Sequence, residues 1–238
     1  KINLDKLIYK KNSLNIKKYL PNFKNLIKLK NHKIVLNYKN NKLSLKGKGD
    51  VSIENNTDSL TYELSKSDDI YDFKTIADIE KNIFLLNLLD YQKKKGVKSK
   101  IILSGSYNKD KEIRLKSVSF IDNNKNFFKI KNLDLNKNFK IKNINELDLN
   151  FINNNKIKNQ ISIKKKNKNY EIKGKSFDAS SLINEILNGD NTKESSSIFT
   201  NTNTNIDIDI DKIYLDKVTF VNDLNGDIIF KHNKIKKL

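Results

Sequence analysis

The densest group of potential metal ligands is Asp207, Asp209 and Asp211, in the string Ile-Asp-Ile-Asp-Ile-Asp. In an extended chain all three carboxylates share one face, and carboxylate oxygens are the usual ligands of Ca²⁺. The EF-hand pattern fails here, because Lys212 stands where its glycine belongs and Val218 where its bidentate glutamate belongs. The aspartates read as a solvated outer face, opposite the isoleucines and screened by nearby lysines. A Ser-His-Asp triad would need His32 or His232. Both lie among lysines in polar text and read as surface residues. Gly47-Lys48-Gly49-Asp50 lacks the spacing of a phosphate loop and sits inside a strand pattern. Cysteine is absent, which excludes disulfides, thiolate metal sites and cysteine nucleophiles. No catalytic residue, no metal ligand and no cofactor is expected, and the chain does not read as an enzyme.

Charge is the next clue. The net charge is +19, yet almost all of the basic residues are lysine and Arg114 is the only arginine. The chain is also crowded with Asn and Ile. Lys, Asn and Ile share AT-rich codons, so a low-GC genome would give this composition whatever the function. Sequence-specific nucleic-acid readers depend on Arg for bidentate contacts to guanine, so nucleic acid is not the expected partner. A basic β-module attracted to an anionic membrane surface or nucleic acid remains the alternative, with a passive structural β-segment as a third. The chain starts at Lys1 and contains no apolar run near the ~20 residues that span a bilayer. It reads as a segment of a longer protein.

The elements that would position any site show period-two alternation, the mark of strands with one apolar face. Leu43, Leu45, Gly47, Gly49, Val51 and Ile53 alternate with polar residues. Ile101 with Leu103, Leu133 with Leu135, and Leu147, Leu149 and Phe151 do the same. So do Ile161 with Ile163, Tyr170 with Ile172, and Ile206, Ile208 and Ile210. Short breaks rich in Asn, Asp and Lys supply turn chemistry, and Asn225-Gly226 reads as a hairpin turn. This describes an antiparallel meander.

Three places depart from alternation. Ile83 to Leu89 is a dense apolar run, either a doubly buried strand or a short helix. Phe23, Leu26 and Ile27 could lie on a helix after Pro21. Leu182, Ile183, Ile186 and Leu187 have helical spacing, with Asp178 as N-cap and Gly189 as stop, which predicts a short helix over 180–188. Residues 189–205 have almost nothing to bury and read as a flexible polar loop. The expected division is a β-groove segment over 1–188 ending in the helix, the loop 189–205, and the start of a next β-segment over 206–238.

One apolar face needs a cover, and one helix is too little for so many strands. A long twisted sheet can instead curl over its own face. The fold expected is mainly β, a long meander curled into an open groove. The competing outcome is a closed sandwich or barrel whose apolar face is only a core. The groove candidates are Leu43, Leu45, Val51, Ile53, Ile101, Leu103, Leu133, Leu135, Leu147, Leu149 and Phe151.

The string Tyr-Glu-Ile-Lys-Gly-Lys-Ser-Phe-Asp over 170–178, continuing Ala179-Ser180-Ser181-Leu182, resembles an element of the AsmA-like superfamily in its YhdP-type branch. There a strand ends in Gly, a polar residue and Ser-Phe-Asp, and a short helix follows. Gly174, Ser176, Phe177 and Asp178 carry the match. Leu88-Leu89-Asp90-Tyr91, followed by Ile101 to Gly105, is similar to a strand, turn and strand of those proteins. The resemblance implies a repeating β-groove that shields phospholipid acyl chains between the inner and outer membranes. It also implies a periplasmic location, anchored to the inner membrane through a part of the parent protein not present in this chain. On the residues alone, Gly174 allows a bend and Asp178 caps a helix.

Overall fold

The computed structural model describes residues 1–10, 19–21, 23, 26–53, 56–108, 112–123, 125–136, 141–188, 204–231 and 234–237. Strands dominate. They are β1 (Ile2–Lys10), β2 (Leu26–Lys39), β3 (Lys42–Ile53), β4 (Asn56–Ser67), β5 (Ile70–Asp78), β6 (Phe84–Leu86), β7 (Tyr91–Lys93) and β8 (Ser99–Asn108). There follow β9 (Ile113–Asp122), β10 (Phe127–Leu135), β11 (Ile141–Ile152), β12 (Lys158–Lys166) and β13 (Asn169–Asp178). After the helix α1 (Ser180–Asn188) come β14 (Thr204–Tyr214), β15 (Phe220–Lys231) and β16 (Lys234–Lys237).

Fourteen strands form one sheet in chain order, and only β6 and β7 stand apart as a small hairpin. The sheet has two free edges, β1 and β16, and is not closed into a barrel. Tight turns set the register. Asn40 and Asn41 both have positive φ, the requirement of a type I′ hairpin, and they join β2 to β3 with Lys39 opposite Lys42. Asn tolerates that left-handed conformation because its short side chain bonds locally.

Neighbouring strands pair antiparallel except β13 and β14, which run parallel with Tyr170 opposite Ile206. Parallel neighbours need a crossover connection. α1 begins that crossover, and residues 189–203 lie outside the described residues. Thr204 and Asn205 already belong to β14, and β14, β15 and β16 continue the same sheet.

Some expectations are corrected. Leu26 and Ile27 open β2 and are not helical, because β2 has partners on both sides, β1 and β3. Asn225 and Gly226 lie within β15, opposite Asp209 and Ile208, and not in a turn. The chain reverses earlier, at residues 215–219, where Asp216 accepts hydrogen bonds from the Val218 and Thr219 amides. The dense run Ile83–Leu89 is neither a single strand nor an α-helix. It forms β6 and one 3-10 turn, Asn87–Leu89, closed by Asp90 in the left-handed conformation.

Irregularities bend the strands. Asn31 in β2 and Asn132 in β10 have positive φ in mid-strand. Each lets apolar-face residues recur at a spacing of three, Leu29 then His32, and Ile130 then Leu133. Register shifts also occur at Ser104/Gly105, Asp134/Leu135 and Gln160/Ile161. Such bulges curve and twist a sheet locally.

Candidate functional site: an apolar groove with one covered rim

Residues directly opposite in a sheet share a face, so the register assembles rows across the strands. One row runs Leu60, Ala77, Ile101, Phe120, Phe128, Leu149, Ile161, Gly174 and Ile210, from β4 to β14. The next row on the same face runs Ile34, Gly47, Tyr62, Thr75, Leu103, Val118, Ile130, Leu147, Ile163, Ile172 and Ile208. The opposite face carries Lys, Ser, Asp and Glu. There Lys46 pairs with Glu63 at 3.3 Å and Lys131 with Glu146 at 3.0 Å.

The first row is covered from Ile101 to Ile210. The β6–β7 hairpin and α1 lie over it, and Tyr91, Phe120, Phe128, Leu149, Phe151, Ile161, Phe177 and Ile210 form a buried cluster. The ring of Tyr91 meets Phe128 and Phe151 edge-on, with centroids 4.8 and 5.7 Å apart. Leu182 and Ile183 of α1 pack against the same cluster.

Polar groups lock this cover in place. The Tyr91 hydroxyl donates to Asp122 Oδ2 at 3.0 Å, and Asp122 also accepts from the Asn126 amide and side chain. Burial, and next the Asp122 carboxylate, push the Tyr91 phenol well above its ordinary range. Lys93 is 1% exposed and donates to the carbonyls of Glu80 (2.9 Å) and Asn82 (2.6 Å). Desolvation draws its ammonium below the ordinary lysine value, against the opposing pull of Asp58, Glu80 and Asp122. Asn154 ties the 153–157 turn to Asp90 through backbone and side chain.

Asp178 closes the same rim. Its Oδ1 accepts the Ser180 amide at 3.0 Å, which caps α1, and its Oδ2 accepts from Asn153 Nδ2 at 2.6 Å. Its own amide donates to Asn159 Oδ1 at 2.7 Å. Phe177 is buried in the aromatic cluster, whereas the Ser176 hydroxyl donates to the Lys158 carbonyl at 2.5 Å. Gly174 faces the bulge in β12, and a Cβ there would come within 2.6 Å of the Gln160 carbonyl oxygen. The 174–178 string therefore builds a covered rim and a helix start.

Among the described residues the second row has no such cover. Its aliphatic residues from Leu103 to Ile208 are all half-buried, and among the described residues no strand or helix is layered over the whole row, although Leu147, Ile172 and Ile208 touch the edge of the covered cluster. At about 4.8 Å per strand, β8 to β14 gives an aliphatic track of ~29 Å. Toward β2 the floor changes. The Tyr62 ring lies over Gly47, and His32 lies over Gly49, where a Cβ would sit 2.4 Å from the imidazole. His32 Nε2 is 2.9 Å from the Asp50 carbonyl and so carries the proton, which leaves Nδ1 to accept the Tyr62 hydroxyl at 3.2 Å. His32 is thus 1% exposed and not a surface residue, because the Asn31 bulge turns it onto the apolar face. His232 lies outside the described residues.

The predicted lining residues all share this face, at different depths. Leu103 and Leu147 belong to the second row, and Ile101, Leu149 and Phe151 to the covered rim. Leu45 and Leu133 lie in a third row and Leu43 and Leu135 in a fourth, toward the opposite rim. Val51 and Ile53 sit near the covered rim in β3. Leu133 is buried beside Leu115 and Ile144 at the bend. Sequence reasoning missed Ile130 and Ile34, whose phase is broken by the neighbouring bulges. It also missed the Tyr91–Asp122 lock, whose only trace was turn-type composition at 122–125.

Asp207, Asp209 and Asp211 are exposed, and Lys173 faces the first two. Among the described residues no three His, Cys, Asp or Glu side chains gather as a metal site would require. No described helix is long and apolar enough to cross a membrane. The fold and the face define a class, an open β-sheet with one apolar face that the described residues cover along one rim. No family model matches the chain, and neither a curated protein nor a solved structure does so.

Proposed function

We propose that the second row is a lipid groove that shields acyl chains from water. The observation that carries this reading is the half-buried aliphatic track from Leu103 to Ile208, over which no described element forms a complete layer. Apolar surface left in water costs about 25 cal/mol per Å², and an acyl chain laid along the track removes that cost. A track of ~29 Å is about the thickness of a bilayer's hydrocarbon core, so a single acyl chain fits with room to spare. The capped rim supports the reading, since it ends the groove on one side only.

The resemblance at Gly174–Asp178 supplies the setting of this proposal. The chain would be a section of a longer conduit in a bacterial envelope, carrying phospholipid between membranes in the periplasm and anchored elsewhere in the parent protein. The lysines of the opposite face, several of them paired with glutamates across strands, weigh against a basic patch devoted to nucleic acid.

Native mass spectrometry of the purified chain, with extraction of bound material, tests the reading. Acyl-chain lipid at near-stoichiometric amounts is the expected result. Lipid-free protein that also takes up no added phospholipid would refute it.

A further inference from the structure

Charge is distributed unevenly on the apolar face. Of the described residues that the register places there, the acidic Asp58 and Asp122 lie at the covered rim. Both already accept hydrogen bonds from the chain itself. The cations lie at the other rim. Lys66 of β4 shares its row with Leu43 and Tyr71, and Lys165 of β12 lies opposite Tyr170. Both keep the phase of the groove residues before them, Leu60-Tyr62-Leu64-Lys66 and Ile161-Ile163-Lys165.

Both ammonium groups are held beside tyrosine rings, Lys66 at 5.5 Å from the Tyr71 centroid and Lys165 at 5.9 Å from that of Tyr170. Lys165 also donates to the Asn143 side-chain oxygen. Among the described residues neither has a carboxylate within ion-pair distance, unlike Lys46, Lys131 and Lys166 on the opposite face. A half-buried lysine at the edge of an apolar track, with no counter-anion among the described residues, matches the head of an anionic amphiphile.

Resting on the lipid-groove reading, we infer that Lys66 and Lys165 are head-group sites that favour phosphate-bearing amphiphiles. They place the phosphate at the rim opposite the aromatic cap, with the chain turning inward to lie along the aliphatic track. β4 and β12 are about 29 Å apart along the sheet. The two lysines therefore serve separate ligands and are not one clamp. The acidic groups at the covered rim disfavour the reverse orientation.

The test is displacement of a pyrene-labelled acyl chain from the whole chain by dodecyl phosphate, dodecanol or inorganic phosphate. The phosphate ester is expected to displace the probe at about fivefold lower concentration than the alcohol, the scale of a partly exposed ion pair. Lys66→Gln with Lys165→Gln should erase that preference and leave dodecanol unchanged. The corresponding Arg variants should keep it, and raising salt should erode it. Absence of a preference in the natural chain, or its survival in the Gln variants, overturns the inference while leaving the groove intact. Displacement by inorganic phosphate alone would show a free-anion site and likewise overturn it. Failure of dodecanol and dodecyl phosphate alike would refute the groove reading, and the inference with it.

Discussion

Replacing Ile163 by Asp separates an open face from a closed core. Ile163 lies mid-track between Leu147 and Ile172 and is half-buried. Burying an Ile side chain completely contributes about 1.5–3 kcal/mol, so a half-buried one contributes about 1–1.5. On an open face the new carboxylate keeps its water, and no charge-burial penalty adds to that loss. The expected destabilisation is therefore about 1–2 kcal/mol, a fall in Tm of roughly 3–6 °C for a chain of this size. Leu149→Asp is the internal control. Leu149 is buried under the aromatic cap, and an unpaired charge there adds several kcal/mol to the lost packing. Thermal and urea unfolding, followed by circular dichroism, would compare the two. Ligand affinity should respond in addition. If the carboxylate denies contact to about three methylenes at ~0.8 kcal/mol each, acyl-chain binding weakens roughly 50-fold. Equal destabilisation by the two variants would show that the track is covered in solution. A stable Ile163→Asp protein with undiminished acyl-chain binding would remove the track from the ligand site.

Two further outcomes concern the covered rim. Asp178→Ala deletes a helix cap worth ~1 kcal/mol and strands the buried Asn153 donor, for about 1–3 more. A total near 3 kcal/mol is expected in urea unfolding, with Asp178→Asn losing less, and a loss below 1 would contradict the bonding described. The raised Tyr91 phenol makes stability pH-dependent. The folded state holds the proton more tightly than the unfolded state, whose value is near 10. Stability is then fully present below pH 10 and declines as pH rises beyond it. Tyr91→Phe should flatten that decline between pH 9 and 11 in parallel unfolding curves, and identical slopes in the two proteins would refute the assignment.

Period-two patterning made the strands legible, since alternation depends only on which neighbours are apolar. The 180–188 helix was equally legible, because 3.6-residue spacing and the Asp178 cap are local signals. So was the opposition of a lysine-rich face to an aliphatic one. What alternation cannot register is a residue that breaks its phase. Asn31 and Asn132 take positive φ in mid-strand, which turns His32 inward and moves Leu133 into phase with Ile130. The parallel pairing of β13 with β14 was likewise invisible, because strand direction is set by where a crossover returns and not by the strand's own residues. Which apolar residues the hairpin and α1 cover was also a tertiary decision. Leu149 and Leu147 look alike in sequence, both apolar and two residues apart. One is buried in the cluster around Tyr91 and the other is half-buried at that cluster's edge, because a hairpin some sixty residues earlier folds over the first.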